Sequence, residues 1–144
     1  MKTRFLLLFL VPLFLLNGIA NGQAERTFVK SFNLMGRQTV VLNLGDNVQI
    51  SQWDSEVMRI QMTVSMPSAT DGTLKALAES GRYMLKTELT VHENIITATN
   101  LQKMIKLNGN DIEETVSYVV FAPKNITVIK NSDANPKIVA KLNP

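Results

Sequence analysis

The chain has no cysteine, one histidine and one tryptophan among its 144 residues. The missing cysteines exclude a disulfide scaffold, a thiolate metal site, a cysteine nucleophile and a lipid-bearing cysteine anchor. With His92 as the lone imidazole, a histidine-based zinc site would need carboxylates or another subunit to complete it. Serine or threonine nucleophilic catalysis would need His92 as its base, and no serine with an orienting carboxylate accompanies it in sequence. It reads as a solvated residue on the polar face of a strand. Charged residues make up 19% and aromatics 6%, with no cluster of Lys and Arg of the kind that nucleic-acid binding demands. Against these scarcities, 45% of the residues are hydrophobic, which excludes a disordered or collagen-like chain. The length suits one domain with a real core.

Much of that hydrophobicity sits at the start. Lys2 and Arg4 precede an apolar run from Phe5 to Leu16, and small or polar residues follow through Gly22. A charged start, a short apolar stretch and a small-residue zone form the plan of a secretory signal peptide, with cleavage expected near Ala20 to Gly22. Twelve apolar residues would reach only about 18 Å as a helix, short of a ~30 Å hydrocarbon core, so a lasting membrane span is not expected. The organisation expected is a leader over 1–22 and a single β-rich domain over 23–144. That domain carries 13 basic and 12 acidic residues, a net charge of +1. The chain's basicity is largely the leader's and says nothing about partners. An exported domain without cysteine fits a bacterial envelope.

Period-two alternation dominates the rest. Met58, Ile60, Met62, Val64 and Met66 alternate with Arg59, Gln61, Thr63 and Ser65, as in a strand with one buried and one wet face, and Pro67 ends the run. Val40, Leu42 and Leu44 lead into Gly45-Asp46-Asn47, and Val48 and Ile50 follow, which predicts a hairpin. A further turn at Asp54-Ser55-Glu56 makes a three-stranded meander of these segments. Residues 70–82 change period: Leu74, Leu77 and Ala78 have helical spacing, Thr70 or Asp71 can cap the start, and Gly81 can end it.

Strands then resume. Leu85, Leu89 and Val91 share one predicted face, Glu93-Asn94 reads as a turn into Ile95–Leu101, and Asn108-Gly109 is a hairpin signal. Ile112, Val116, Tyr118, Val120 and Ala122 form a long alternating strand that Pro123 stops. Lys124-Asn125 turns into Ile126–Ile129, and Lys137–Leu142 is a last strand, blunted as an edge by Lys137, Lys141, Pro136 and Pro144. The fold class expected is all-β: a mainly antiparallel sandwich or a short β-solenoid-like sheet, with one short helix.

Few residues invite chemistry. Asp111, Glu113 and Glu114 are oxygen donors of the kind calcium takes, but they match no calcium loop, and turn chemistry accounts for Asn108–Asp111. Asp111 or Glu114 could serve a carboxylate-dependent hydrolase or lyase, whose two acids must stand some 5–9 Å apart in a cleft. Trp53 is the one ligand-binding candidate, able to stack on a sugar or a partner; plugging the end of the core is the commoner role of a single Trp. The methionine stripe could supply soft thioether ligands, but beside Ile60 and Val64 it reads as core. Asn125-Ile126-Thr127 matches a glycosylation sequon.

Several segments together carry a resemblance. Phe32-Asn33, Thr39-Val40-Val41-Leu42 and Asn47-Val48-Gln49-Ile50 precede Trp53-Asp54 and the stretch Val57–Val64. Later come Tyr118-Val119-Val120-Phe121-Ala122-Pro123 and Ile126-Thr127-Val128. This resembles the opening section of the head-GIN-like adhesin family, β-solenoid proteins of Gram-negative envelopes, as a short member. The resemblance implies a periplasmic or surface location and a binding, adhesive or structural role, with no catalytic residues to carry over. The function expected is thus an exported, non-enzymatic envelope domain that contacts an envelope protein or a glycan, without metal or cofactor. The alternatives are the carboxylate enzyme above and a small outer-membrane β-barrel, which the ten-residue strand Val57–Met66 would suit.

Overall fold

The computed structural model describes residues 23–132 and 135–141. The leader with its cleavage zone, and Leu142 and Pro144, lie outside the described residues. The framework is set by the methionine strand. In β4 (Val57–Met66) the residues Met58, Ile60, Met62, Val64 and Met66 are all essentially inaccessible, while the residues between them are half-buried. β1 (Ala24–Asn33) pairs antiparallel along its full length, from Ala24 opposite Met66 to Asn33 opposite Val57. On the other side lies β9 (Thr115–Pro123), also antiparallel, with Ile60 opposite Val120 and Met62 opposite Tyr118. β3 (Val48–Trp53) completes a four-stranded sheet in the order β1-β4-β9-β3.

The second sheet has five strands, in the order β11-β10-β2-β6-β5: β2 (Thr39–Asn43), β5 (Lys86–Leu89), β6 (Glu93–Thr97), β10 (Thr127–Ser132) and β11 (Asn135–Lys141). Val40, Leu42, Ile96 and Val128 from this sheet join the β4 and β9 side chains in one core cluster. The fold is therefore an all-β sandwich with one short helix, as expected. The sheets are open among the described residues, so they do not form the closed barrel that the outer-membrane alternative requires. No helix among the described residues is long and apolar enough to cross a membrane.

Strand connectivity departs from expectation in an instructive way. The segments flanking Gly45-Asp46-Asn47 do not form a hairpin. β2 lies in the five-stranded sheet between β10 and β6, parallel to both, whereas β3 lies in the other sheet, parallel to β9. Leu44 supplies the reason: it is buried in the core cluster, which draws the connection over the end of the sandwich. Leu34 and Ile126, also in the cluster, mark similar crossings, from β1 to β2 and from β9 to β10. Nor is there a meander, because β9 separates β3 from β4. Alternation reports which face of a strand is buried; it carries no information on the neighbour.

The remaining elements sit at the end of the sandwich where β4 finishes and β9 begins. Helix α1 (Asp71–Glu79) falls inside the expected 70–82 span. Thr70 Oγ1 accepts from the Thr73 N–H at 3.1 Å, Leu74 is fully buried, and Gly81 takes φ +85° just past the end. Asn108 and Gly109 adopt φ 52° and 82° between β7 (Lys106–Leu107) and β8 (Asn110–Asp111), the two-residue hairpin expected there. Ile112 belongs to this arm, donating its N–H to Ile105 O at 3.2 Å, and not to the long strand.

Two local expectations fail. Leu85 is buried, but Leu89 and Val91 are exposed, because β5 is the outermost of five strands facing a sheet of only four. Glu93-Asn94 opens β6 instead of turning; the turn is made by Thr90, which bonds Glu93 through both N–H and Oγ1. The strand then stops at Thr97, and a 3-10 turn over Thr99–Gln102 follows. Asn94 is thereby fully buried, and among the described residues neither its Oδ1 nor its Nδ2 has a partner. An unpaired buried amide is costly. Replacement Asn94→Val should raise stability by about 1–3 kcal/mol; urea unfolding with an unchanged slope would read it, and a loss of stability would contradict it.

Candidate ligand cleft at one end of the sandwich

Parallel pairing sets Asn43 at the end of β2 opposite Thr97 at the end of β6. The crossing that begins at Leu44 and the 3-10 turn carrying Leu101 and Gln102 then diverge. A cleft of about 370 Å³ opens between them, bounded by Tyr118 of β9 and Asn131 of β10. Its lining residues are uncharged: Asn43, Gln102 and Asn131 with amide side chains, Thr97 and Tyr118 with hydroxyls, and Leu44, Ala98 and Leu101 apolar.

Two of these groups are unusual. Tyr118 is 3% exposed, and its hydroxyl has no hydrogen-bond partner among the described residues. Asn43 donates Nδ2 to Thr97 Oγ1 at 3.4 Å, yet its Oδ1 is buried and has no partner among the described residues. Burial, and then the negative charge of Glu114, push the Tyr118 phenol up to about 12, so it remains a neutral donor across the physiological range. Two of the residues lining the cleft thus hold a buried donor and a buried acceptor, beside apolar surface and with no charge. That suits a neutral ligand rich in hydroxyl or amide groups. Sequence reading missed it because its residues come from β2, β6, β9, β10 and the 3-10 turn.

The residues singled out from the sequence do not converge there. Glu114 lies in a clamp. Its carboxylate takes a forked contact from Arg82, with Nε at 3.1 Å from Oε1, and accepts from Tyr83 Oη at 3.1 Å. Arg82 Nη1 also donates to Asn100 O at 3.2 Å and Lys103 O at 2.9 Å. The two charged side chains are 8% and 13% exposed. Burial, reinforced by Glu114, drives the Tyr83 phenol far above its ordinary range. Asp111, by contrast, is exposed and stands 3.8 Å from Lys106. No group of three or more His, Asp or Glu side chains able to hold a metal occurs among the described residues.

Trp53 does not plug the core. It is half-buried on the outer face of its sheet, with Phe121 5.6 Å away, Arg59 over its ring at 4.7 Å, and Nε1 donating to Val57 O at 2.9 Å. It belongs to the end of the sandwich opposite the cleft, as the register from Val48–Tyr118 to Trp53–Pro123 requires. His92 is exposed in the turn before β6, also at that far end. Asn125 is an exposed turn residue with φ 68°. The methionine stripe is core. No family model, curated protein or solved structure matches this chain.

Two outcomes follow from this geometry. Glu114→Gln leaves the Arg82 charge buried without its counter-ion and should cost about 3–5 kcal/mol in denaturant unfolding; a change within experimental error would show that the clamp is dispensable. Tyr118 is held protonated when folded and ionises near pH 10 when unfolded, so its contribution is present below pH 10 and is lost as pH rises towards 12. Tyr118→Phe should therefore gain about 2–3 kcal/mol relative to the native chain between those limits, at roughly 1.4 kcal/mol per pH unit. Parallel pH profiles of the two proteins would contradict this.

Proposed function

We propose that the protein is an exported, non-enzymatic domain of the bacterial cell envelope that binds a neutral glycan in the cleft. The observation that carries this reading is a pair of buried groups without partners among the described residues, Tyr118 Oη and Asn43 Oδ1, on two residues that line an uncharged cleft. A sugar hydroxyl can donate to Asn43 Oδ1 while another accepts from Tyr118 Oη, and the less polar face of the ring can rest on Leu101 or Leu44. A charged ligand would lose hydration there without an ionic partner. The leader over residues 1–22 supports export, and the resemblance to envelope adhesins points to the same compartment. The carboxylate-enzyme alternative loses support because Glu114 is committed to Arg82 and Tyr83 while Asp111 is bound up with Lys106 at the surface.

The test is titration of the mature domain with neutral and with acidic oligosaccharides, followed by calorimetry or amide chemical shifts. Neutral sugars should perturb residues 43–45, 97–102 and 118. Tyr118→Phe should weaken binding roughly 3–10-fold, the worth of one neutral hydrogen bond. Preference for acidic sugars, or affinity that Tyr118→Phe leaves unchanged, would overturn the proposal.

A further inference from the structure

Each sheet ends in strands whose outer backbone groups need protection from other chains. Three of the four edges carry the usual devices. β1 bears Glu25, Arg26 and Lys30, β5 bears Lys86 and Glu88, and β11 contains Pro136 followed by Lys137 and Lys141. β3 has none: Val48 to Trp53 holds no charge and no proline, and it runs without a bulge beside β9.

The ladder shows which groups are free. Tyr118 N–H donates to Asn47 O at 2.9 Å where the parallel pairing begins. Alternate residues of a strand address one neighbour, so Gln49 and Ser51 face β9, while the backbone groups of Val48, Ile50 and Gln52 point to the open edge. Val48 is already engaged, its N–H on Asp46 O at 3.0 Å and its carbonyl accepting from Lys130 Nζ at 3.3 Å. Ile50 and Gln52 remain, and among the described residues no strand lies beside them.

We infer that β3 is a self-association edge: two copies of this chain pair β3 to β3, antiparallel, about a two-fold axis through Ser51. In that register Ile50 of each copy exchanges both backbone hydrogen bonds with Gln52 of the other, so the free groups match without residue left over. Val48, occupied by Lys130, is not called upon. Ser51 faces its own counterpart as a non-hydrogen-bonded pair, where Cα atoms approach to ~4.5 Å. Gln49 lies opposite Trp53 of the second copy, which covers the exposed side of that ring. A second copy fits because the free groups of Ile50 and Gln52 stand symmetrically about Ser51, so an identical strand returns a donor for each acceptor, and the uncharged β3 sequence sets no like charges opposite one another.

The absence of cysteine makes the test clean. In Ser51→Cys, mild oxidation of the mature domain should give a disulfide-linked dimer, since the expected separation suits a disulfide. Val29→Cys, equally exposed on the charged β1 edge, should crosslink far more slowly. Ser51→Lys places like charges across the axis and should convert a native dimer, seen by sedimentation equilibrium, to monomer while circular dichroism stays native. A native chain that is monomeric at the highest attainable concentration, or crosslinking no faster at Ser51 than at Val29, would overturn the inference.

Discussion

The ion pair between Arg82 and Glu114 organises the end of the molecule that holds the cleft. Two nearly buried charges are tolerable only when each is matched and its remaining hydrogen-bonding capacity is used. Here the guanidinium holds Glu114 at the entrance to β9, and it also holds the carbonyls of Asn100 and Lys103 around the 3-10 turn. Asn100 returns Nδ2 to Gly81 O at 2.9 Å, locking the turn to the end of the helix. Tyr83 extends the link by donating to Glu114 and stacking on Phe28 at 5.3 Å. Segments far apart in sequence are thereby given one mutual position.

That position forms the wall of the cleft. The 3-10 turn that Arg82 secures carries Leu101 and Gln102 into the lining, and the charge of Glu114 helps keep the Tyr118 phenol protonated. A carboxylate that could pass in sequence for a catalytic acid therefore acts structurally and, at a distance, electrostatically. Asn43 satisfies Thr97 with its nitrogen, while its oxygen has no partner among the described residues. Groups held unpaired in this way would meet the proposed ligand without first breaking an internal bond.

Repeated crossings between the sheets, among them those at Leu44 and Ile126, give the sandwich its mixed character. Each moves the chain between sheets, so β2 and β10 run parallel in one sheet while β3 and β9 run parallel in the other. Parallel neighbours cannot be joined by a tight turn, and the helix, the clamp and the hairpin arm occupy the connections that result. The same arrangement leaves β3 at a border with no further strand to cover it. The cleft and the open edge are both consequences of strands changing sheets.

Local chemistry was legible in the residues alone. The buried stripe from Met58 to Met66, the helix capped by Thr70 and ended by Gly81, and the Asn108-Gly109 hairpin were all readable, because side-chain alternation, capping and positive φ act within a few residues. The all-β class followed from them. Partnership between strands was not readable: a buried Leu44 or a turn made by Thr90 looks, in sequence, like any other alternating position or polar residue. Nor could the sequence show that Glu114 meets Arg82 or that Asn43 and Tyr118 share a cleft, since each of those encounters joins segments more than thirty residues apart or in different sheets. The residues by themselves determined which faces are buried; the tertiary structure decided which faces meet, because that choice depends on how whole sheets fill a common core and not on any local preference.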